Sequence, residues 1–429
     1  MTLSASPQPR SPGSYAWAVV GLLFVVALLN YMDRLLITSM RDPIRAAIPM
    51  SDGRFGLLTS VFLWVYAAAS PAGGFVADRA GRRGVIIASL FFWSAATFAT
   101  GFAHSFAQLL TARALMGLSE ACYLPAALAL ISDFHPGPTR SLATGVHMVG
   151  LYVGAALGGL GGLLAQHFGW AGAFRLLGII GVAYGIVLWI GLRDADKSPT
   201  LDQPEIEQEE ESPIAHALRG LLTSRAFLFL LAVNVLVGVV NWAIYGWLPT
   251  YLGERFKLGL GAAGMSATGY IQAASFAGVL IAGAASDRWS RSNSAARAIV
   301  PAVAFVLAGP ALMLCGSTGF LVIAIGGLIV YGLARGAFDA NQMPLLREIA
   351  DQRFSATGYG LLNLVSTTAG GVMVYAAGAM RDSGTNLSRI FQVCGGGFML
   401  AGVLLWLARP RELVRNARTF SMPSESAKM

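Results

Sequence analysis

Apolar stretches of about 18 residues or more recur along nearly the whole of this chain, and each is long enough to cross a hydrocarbon core about 30 Å thick as a helix. No water-soluble fold of 429 residues can cover so many such runs. Only 12% of the residues are charged while 55% are hydrophobic, and the mean hydropathy is +0.62; an ordinary soluble domain carries roughly a quarter charged residues. The spacing predicts twelve transmembrane helices, at 15–38, 55–76, 84–103, 108–131, 142–166, 174–192, 226–251, 263–285, 299–316, 320–344, 355–380 and 390–408. A transmembrane β-barrel would instead alternate in segments of about 10 residues. The expected fold class is all-α integral membrane.

Charge placement orients the chain. Of the 30 Lys and Arg, 19 fall on the face that carries both termini and 8 on the other, while Arg34, Arg113 and Arg335 lie inside helices. The positive-inside rule then puts both ends in the cytoplasm. The formal charge of +8 is what a surface facing anionic lipid carries, so no nucleic-acid partner is expected. The first apolar stretch runs from Tyr15 into Asn30 and Asp33 rather than into a small-residue cleavage site, so it is read as a retained helix and not a signal peptide. Together these features point to a plasma membrane protein, or an inner-membrane protein if bacterial. Cys122, Cys315 and Cys394 sit in apolar surroundings without metal-like spacing, which argues for neither a disulfide framework nor a metal site.

The stretch from Arg193 to Arg225 breaks the apolar pattern and holds Glu205, Glu207, Glu209, Glu210 and Glu211. It reads as a cytoplasmic tether. The expected domains are therefore an N-terminal six-helix bundle (1–192), a linker (193–225) and a C-terminal six-helix bundle with a tail (226–429). Each half repeats a short signature between its second and third spans. Gly74, Asp78, Arg79, Gly81, Arg82 and Arg83 form G-x-x-x-D-R-x-G-R-R, and Gly283, Asp287, Arg288 and Arg291 follow 209 residues later. The first copy resembles the loop signature of the major facilitator superfamily. That resemblance, covering roughly residues 15–410, implies two pseudo-symmetric bundles that rock around a central site. An acid at a helix end followed by a basic cluster can pair within the loop or with helix termini of the other half, so Asp78, Arg79, Arg82, Arg83, Asp287 and Arg288 are candidate gating residues.

In the fifth span Gly150, Gly154, Gly158 and Gly162 recur every four residues, leaving one helix face nearly free of side chains. Such a face lets another helix approach closely. Ionisable residues inside a span cost roughly 2.5–3.5 kcal/mol each on insertion scales and mark pathways. The chain has few: Asp33 and Arg34 in span one, Arg113 and Glu120 in span four, Arg335 and Asp339 in span ten. Arg113 and Glu120, seven residues apart, share a helix face, and one aqueous cavity is expected to hold both. Asp33 and Arg34 point about 100° apart, so one can face that cavity while the other pairs with a neighbouring helix.

The segments Asn30-Tyr31-Met32-Asp33-Arg34 and Arg113 to Ala121 with Pro125 resemble the anion:cation symporter branch of the superfamily, as do Gly169 to Phe174 and Trp247 to Leu252. The resemblance implies protonation at Asp33 and Glu120, and recognition of an organic anion by Arg113 with Arg34 and Tyr31 nearby. Burial favours a neutral carboxyl and a neighbouring Arg a charged one, so the two together can tune proton uptake and release. The segment from Arg335 to Pro344 departs from that pattern. Arg335 and Asp339 stand four apart and can neutralise each other or serve substrate or proton.

Tyr245, Gln272 and Asn363 join Tyr31 as further substrate-binding candidates; His147, Asn241, Tyr152, Trp242 and Trp247 are other polar or aromatic positions in the spans. The expected function is proton-coupled symport of a small organic anion, a sugar acid or other carboxylate, by alternating access. Protons are the coupling ion and no other cofactor is implied. The partners are that anion and the bilayer, and the chain is expected to be a monomer. A Spinster-like carrier of lysolipid or another amphiphile, or a drug:proton antiporter, is the alternative. A membrane enzyme needs a nucleophile with a base or a metal pair, and the scattered His104, His135, His147, His167 and His216 supply neither.

Overall fold

The structure is a computed structural model that describes residues 13–136, 139–195, 219–350 and 355–409, with only the backbone described at Gly74, Asp78 and Ala356. The described regular structure is helical. The helices before the expected linker, of which 196–218 lie outside the described residues, are α1 (Ser14–Leu36), continued by a 3₁₀ turn (Ile37–Met40), α2 (Arg41–Ala47), α3 (Asp52–Ala80), α4 (Arg82–Thr100), α5 (Phe106–Glu120), α6 (Tyr123–Phe134), α7 (Arg140–Leu157) and α8 (Leu160–Gly191). After it come α9 (Arg225–Phe256), α10 (Leu260–Ser290), α11 (Ala296–Ser317), α12 (Leu321–Ile349), α13 (Ser355–Asp382) and α14 (Leu387–Leu407).

Eleven helical stretches among the described residues are long and apolar enough to cross a membrane. The departures from the twelve expected spans have local causes. Span four is two helices, α5 and α6. Pro125 lacks an N–H and its ring clashes with the carbonyl four residues back, which is Ala121, where the break lies. Span five is also divided: α7 stops at Leu157, and Gly158 and Gly159 interrupt it before α8 begins. Helix α8 then reverses direction at Gly169, whose φ of 68° and ψ of 160° suit glycine, so its first arm completes span five and its second is span six. In the loop signature Gly81 has φ 86° and is the single residue between α3 and α4. Its lack of a Cβ permits that tight connection.

Two faces can be told apart by what they bring together. At one, the hydroxyl of Tyr15 donates to the Gly191 carbonyl (2.9 Å), Tyr15 packs against Phe134, and Arg83 donates to the carbonyls of Leu192 and Trp189 (both 2.6 Å). This terminus face gathers the start of α1, the α3–α4 turn and the ends of α6 and α8. The opposite face gathers Arg41, Asp52, Glu254, Arg381 and Asp382.

The N- and C-terminal halves meet along two seams. Helix α3 packs along α13, and α7 with the first arm of α8 packs along α10. Exchanging the halves maps one seam onto the other, because the second and eleventh crossings are the counterparts of the eighth and fifth. Both seams are tightest toward the opposite face. A Cβ on Gly56 would lie 2.6 Å from the Val374 carbonyl oxygen, and one on Gly162 only 2.1 Å from that of Leu260. The glycine stripe thus serves close approach, but to two partners. Gly150, Gly154 and Gly158 lie against α1, at the Phe24 and Leu28 carbonyls and the Leu35 side chain, whereas Gly162, like Gly159 just outside the stripe, lies against α10 of the other half.

Candidate functional site

Helix α1 carries the buried residues Asn30, Asp33 and Arg34 into the middle of the N-terminal half. The adjacent charges diverge as the 100° helical step dictates. Arg34 reaches α5: its Nη2 donates to Glu120 Oε2 at 2.9 Å and to Asn30 Oδ1 at 3.2 Å. Its guanidinium carbon lies 4.6 Å from the Tyr31 ring centroid, 4.5 Å from Tyr66 and 5.0 Å from Phe62. Three rings and one carboxylate thus hold a buried cation, each ring contributing about 0.5–2 kcal/mol of cation–π attraction. Asp33 turns toward α4. Thr97 Oγ1 is 3.4 Å from its Oδ2, Oδ1 has no protein partner, and no cation among the described residues lies within ion-pair distance.

Arg113 is fully buried. Its guanidinium donates to the backbone carbonyls of Leu58 (3.3 Å) and Arg34 (3.4 Å) and lies 4.7 Å from the Phe62 ring. Arg113 and Glu120 both adjoin Arg34, Arg113 through the Arg34 backbone carbonyl and Glu120 through its guanidinium.

A second charged group lies across the interface. On α12, Arg335 Nε is 3.7 Å from Asp339 Oδ2, and its Nη1 donates to the Tyr245 hydroxyl, which Gln272 Nε2 also contacts at 2.5 Å. Tyr152, from α7 of the N-terminal half, donates to the same Asp339 Oδ2 at 2.9 Å. Tyr31, Phe62, Trp242 and Tyr245 belong to one apolar cluster that joins the two halves between the charged groups. Tyr331 donates to Asn241 at 3.2 Å beside it.

The remaining sequence candidates are dispersed. Asn363 is exposed on α13. His147 is buried on α7 with its ring 5.9 Å from that of Tyr123, away from both charged groups. Trp247 is buried and donates to the Val374 carbonyl. Of the gating candidates, Arg82 pairs with Asp133 of α6, Arg83 binds the end of α8 and the Asp194 carboxylate, and Arg79 stacks on Phe75. Asp287 pairs with Arg297, which also bridges to Glu348 at 3.0 Å, and Arg288 is exposed. Asp78 lies outside the described side chains. Among the described residues these terminus-face pairs stay within one half.

The cross-half charges lie on the opposite face, where sequence reasoning saw only loop residues. Arg381 binds Asp52 Oδ2 at 3.0 Å and both Glu254 oxygens at 2.8 and 3.0 Å, while Arg41 and Arg45 also pair with Asp52. The Asp382 carboxylate accepts the N–H groups of Asp52 and Gly53, both at 2.8 Å, capping α3 from the other half. Sharing Arg41 and Glu254 with this network is a cavity of ≈ 390 Å³ lined also by Ser39, Gln166 and Thr250, among others.

The chain as a whole has known relatives. The chain is 27% identical to the probable galactarate/D-glucarate transporter of Bacillus subtilis over 353 residues, 76% of this chain and 77% of the relative. It is 30% identical over 258 residues to the sphingosine-1-phosphate transporter of Xenopus tropicalis, covering 58% of this chain and 49% of that protein, so it spans only about half the length of that relative's sequence. A crystal structure of a bacterial homologue of the human lysosomal transporter Spinster superposes with a TM-score of 0.76 at 21% identity, covering 94% of this chain and 100% of the other, which shows the fold. Membership of a transporter family sets aside the membrane-enzyme reading. The Major Facilitator Superfamily profile matches residues 23–374, and with its many apolar helices the chain is an integral membrane protein that belongs to the Major Facilitator Superfamily.

Proposed function

We propose that the chain is a secondary active transporter that moves a small organic anion, a sugar acid or other carboxylate, together with protons by alternating access. It acts as a monomer in the plasma membrane with both termini cytoplasmic, so that the opposite face, which the tight seams and the Asp52, Glu254, Arg381 and Asp382 network hold together as a sealed face, is the outer one. The observation that carries this reading is the Arg34–Glu120 pair inside its aromatic cage, with Asp33 beside it and no cation paired to it. An ionised carboxylate left unpaired in a low-dielectric site costs several kcal/mol, so in this reading Asp33 is the proton carrier and is neutral in the loaded protein. Arg34, Arg113 and Glu120 then sum to one positive charge. A single carboxylate neutralises that charge, and anion and proton occupy the carrier as a neutral pair. A second proton, on Glu120, releases Arg34 to the anion and raises the site to two positive charges, which a dicarboxylate balances.

The resemblance to the galactarate/D-glucarate transporter supports a sugar acid as the cargo. A second reading, a lysolipid or other amphiphile, draws on the rings of Tyr31, Phe62 and Tyr66 around the cation and on the resemblance to the sphingosine-1-phosphate carrier.

The test is uptake of radiolabelled sugar acids and other carboxylates into proteoliposomes with and without an inward proton gradient. Wild type is expected to accumulate at least one acid against its gradient. Asp33→Asn is expected to exchange that acid but not concentrate it. Uphill accumulation by Asp33→Asn with unchanged pH dependence refutes the coupling, and transport of lysolipid but of no acid moves the function to the second reading.

A further inference from the structure

Three arginines lie inside the membrane helices, and their surroundings differ. Arg113 is sealed, with its donors on backbone carbonyls. Arg34 Nη2 is committed to Glu120 and Asn30, and its Nε, which has no partner among the described residues, is buried. Arg335 differs from both in access: its side chain is 15% exposed against 5% for Arg34, and its Nε lies 3.7 Å from Asp339 Oδ2, outside hydrogen-bond range. Nη1 is fixed on the Tyr245 hydroxyl, which Gln272 positions in turn, and among the described residues Nη2 has no acceptor. A guanidinium presents a planar fork that a carboxylate can engage with two parallel bonds. Here one edge of that fork is unused, and the carboxylate nearest to it is too distant to bond.

We propose that Arg335 is a carboxylate-binding residue of the C-terminal half, with Asp339 as its built-in competitor and Tyr152 as the link to the other half. This rests on the organic-anion reading above and adds a second contact point to it. A ligand carboxylate takes the Nη2 edge of Arg335 and displaces Asp339. Asp339 keeps the hydroxyl of Tyr152, which belongs to α7 of the N-terminal half. The other cross-half hydrogen bonds among the described residues run along the α3–α13 and α7–α10 seams or tie their ends at the sealed face. Among the described residues the Tyr152–Asp339 bond alone joins the halves through an ionisable group inside the membrane. Ligand exchange at Arg335 therefore shifts the balance of a contact between the two moving bodies. Tyr245 and Gln272 are positioning residues that hold the fork toward the ligand.

The experiment is concentration-dependent uptake of radiolabelled D-glucarate, or of whichever acid in the panel wild type accumulates, with KM and maximal rate resolved separately. Losing a charge-assisted hydrogen-bonded contact corresponds to about 10- to 100-fold in affinity. Arg335→Gln and the double variant R335Q/D339N are expected to raise KM by that factor, and Arg335→Lys by less. Asp339→Asn is expected to lower KM, because the competitor loses its charge. Tyr152→Phe is expected to hold KM within about twofold and lower the maximal rate, a split that loss of packing alone does not produce. The double variant carries the comparison if the single one does not fold, since it leaves no unpaired charge. An active wild type with unchanged KM in the double variant overturns this proposal and leaves the symporter reading standing. A wild type that transports no acid overturns both.

Discussion

Removing the Asp382 carboxylate should loosen the sealed face by an amount the structure lets one estimate. Its two oxygens accept the N–H groups of Asp52 and Gly53 at 2.8 Å each, so it caps α3 although it belongs to α13. Cap substitutions cost about 0.5–2 kcal/mol. Asp382 is exposed, so water replaces part of what is lost, and about 1 kcal/mol is the working figure. Both bonds cross between the halves and break when they separate on this face. The cost therefore falls on the sealed conformation alone, and the sealed-to-open ratio drops about fivefold. The reporter is a cysteine at Thr250, a buried position that lines the cavity shared with the network. The background is favourable: Cys315 and Cys394 are buried, and half-buried Cys122 can be replaced by Ser. With a membrane-impermeant maleimide added from the sealed face, Asp382→Ala should label Thr250→Cys about fivefold faster, and Asp382→Asn, which keeps one acceptor oxygen, should fall between. Equal rates in Asp382→Ala and the parent would refute the view that this cap holds the face closed.

The central charges were legible because their signals are local. A charge in an apolar run is visible in the sequence, and the 100° step between Asp33 and Arg34 correctly sends them to different neighbours, α4 and α5. For Arg113 and Glu120 the shared helix face did not carry their partners: both meet Arg34, which comes from another helix. The aromatic cage was missed for a related reason: Phe62 and Tyr66 stand one turn apart in an apolar helix, a pattern that lipid-facing rings share. The opposite-face network was missed because Asp52, Glu254 and Arg381 lie more than a hundred residues apart, and loop charges carry no mark of the partner they will meet. Hydropathy found the span near residues 142–166 but not its division at Gly158 and Gly159. It registers composition, whereas the break depends on which residues can give up helical φ and ψ.

Two further outcomes test how the halves are held and moved. Arg113 donates to two backbone carbonyls in a sealed site, so Arg113→Gln should lower thermal stability in detergent by about 1–3 kcal/mol, the cost of stranding buried acceptors. An unchanged melting temperature with a raised KM would make Arg113 a substrate residue instead. Gly162→Val addresses the seam itself. A Cβ at this position would sit 2.1 Å from the Leu260 carbonyl oxygen, a backbone atom that no rotamer change can move. Relief requires the first arm of α8 and the start of α10 to part, and they belong to different halves. A clash confined to one half would destabilise the fold, but a clash between halves penalises only the conformation in which they touch. Gly162→Val should therefore fold, label at Thr250→Cys faster than the parent and lose uptake. A variant that folds, labels slowly and transports normally would mean that this close approach is no part of the cycle.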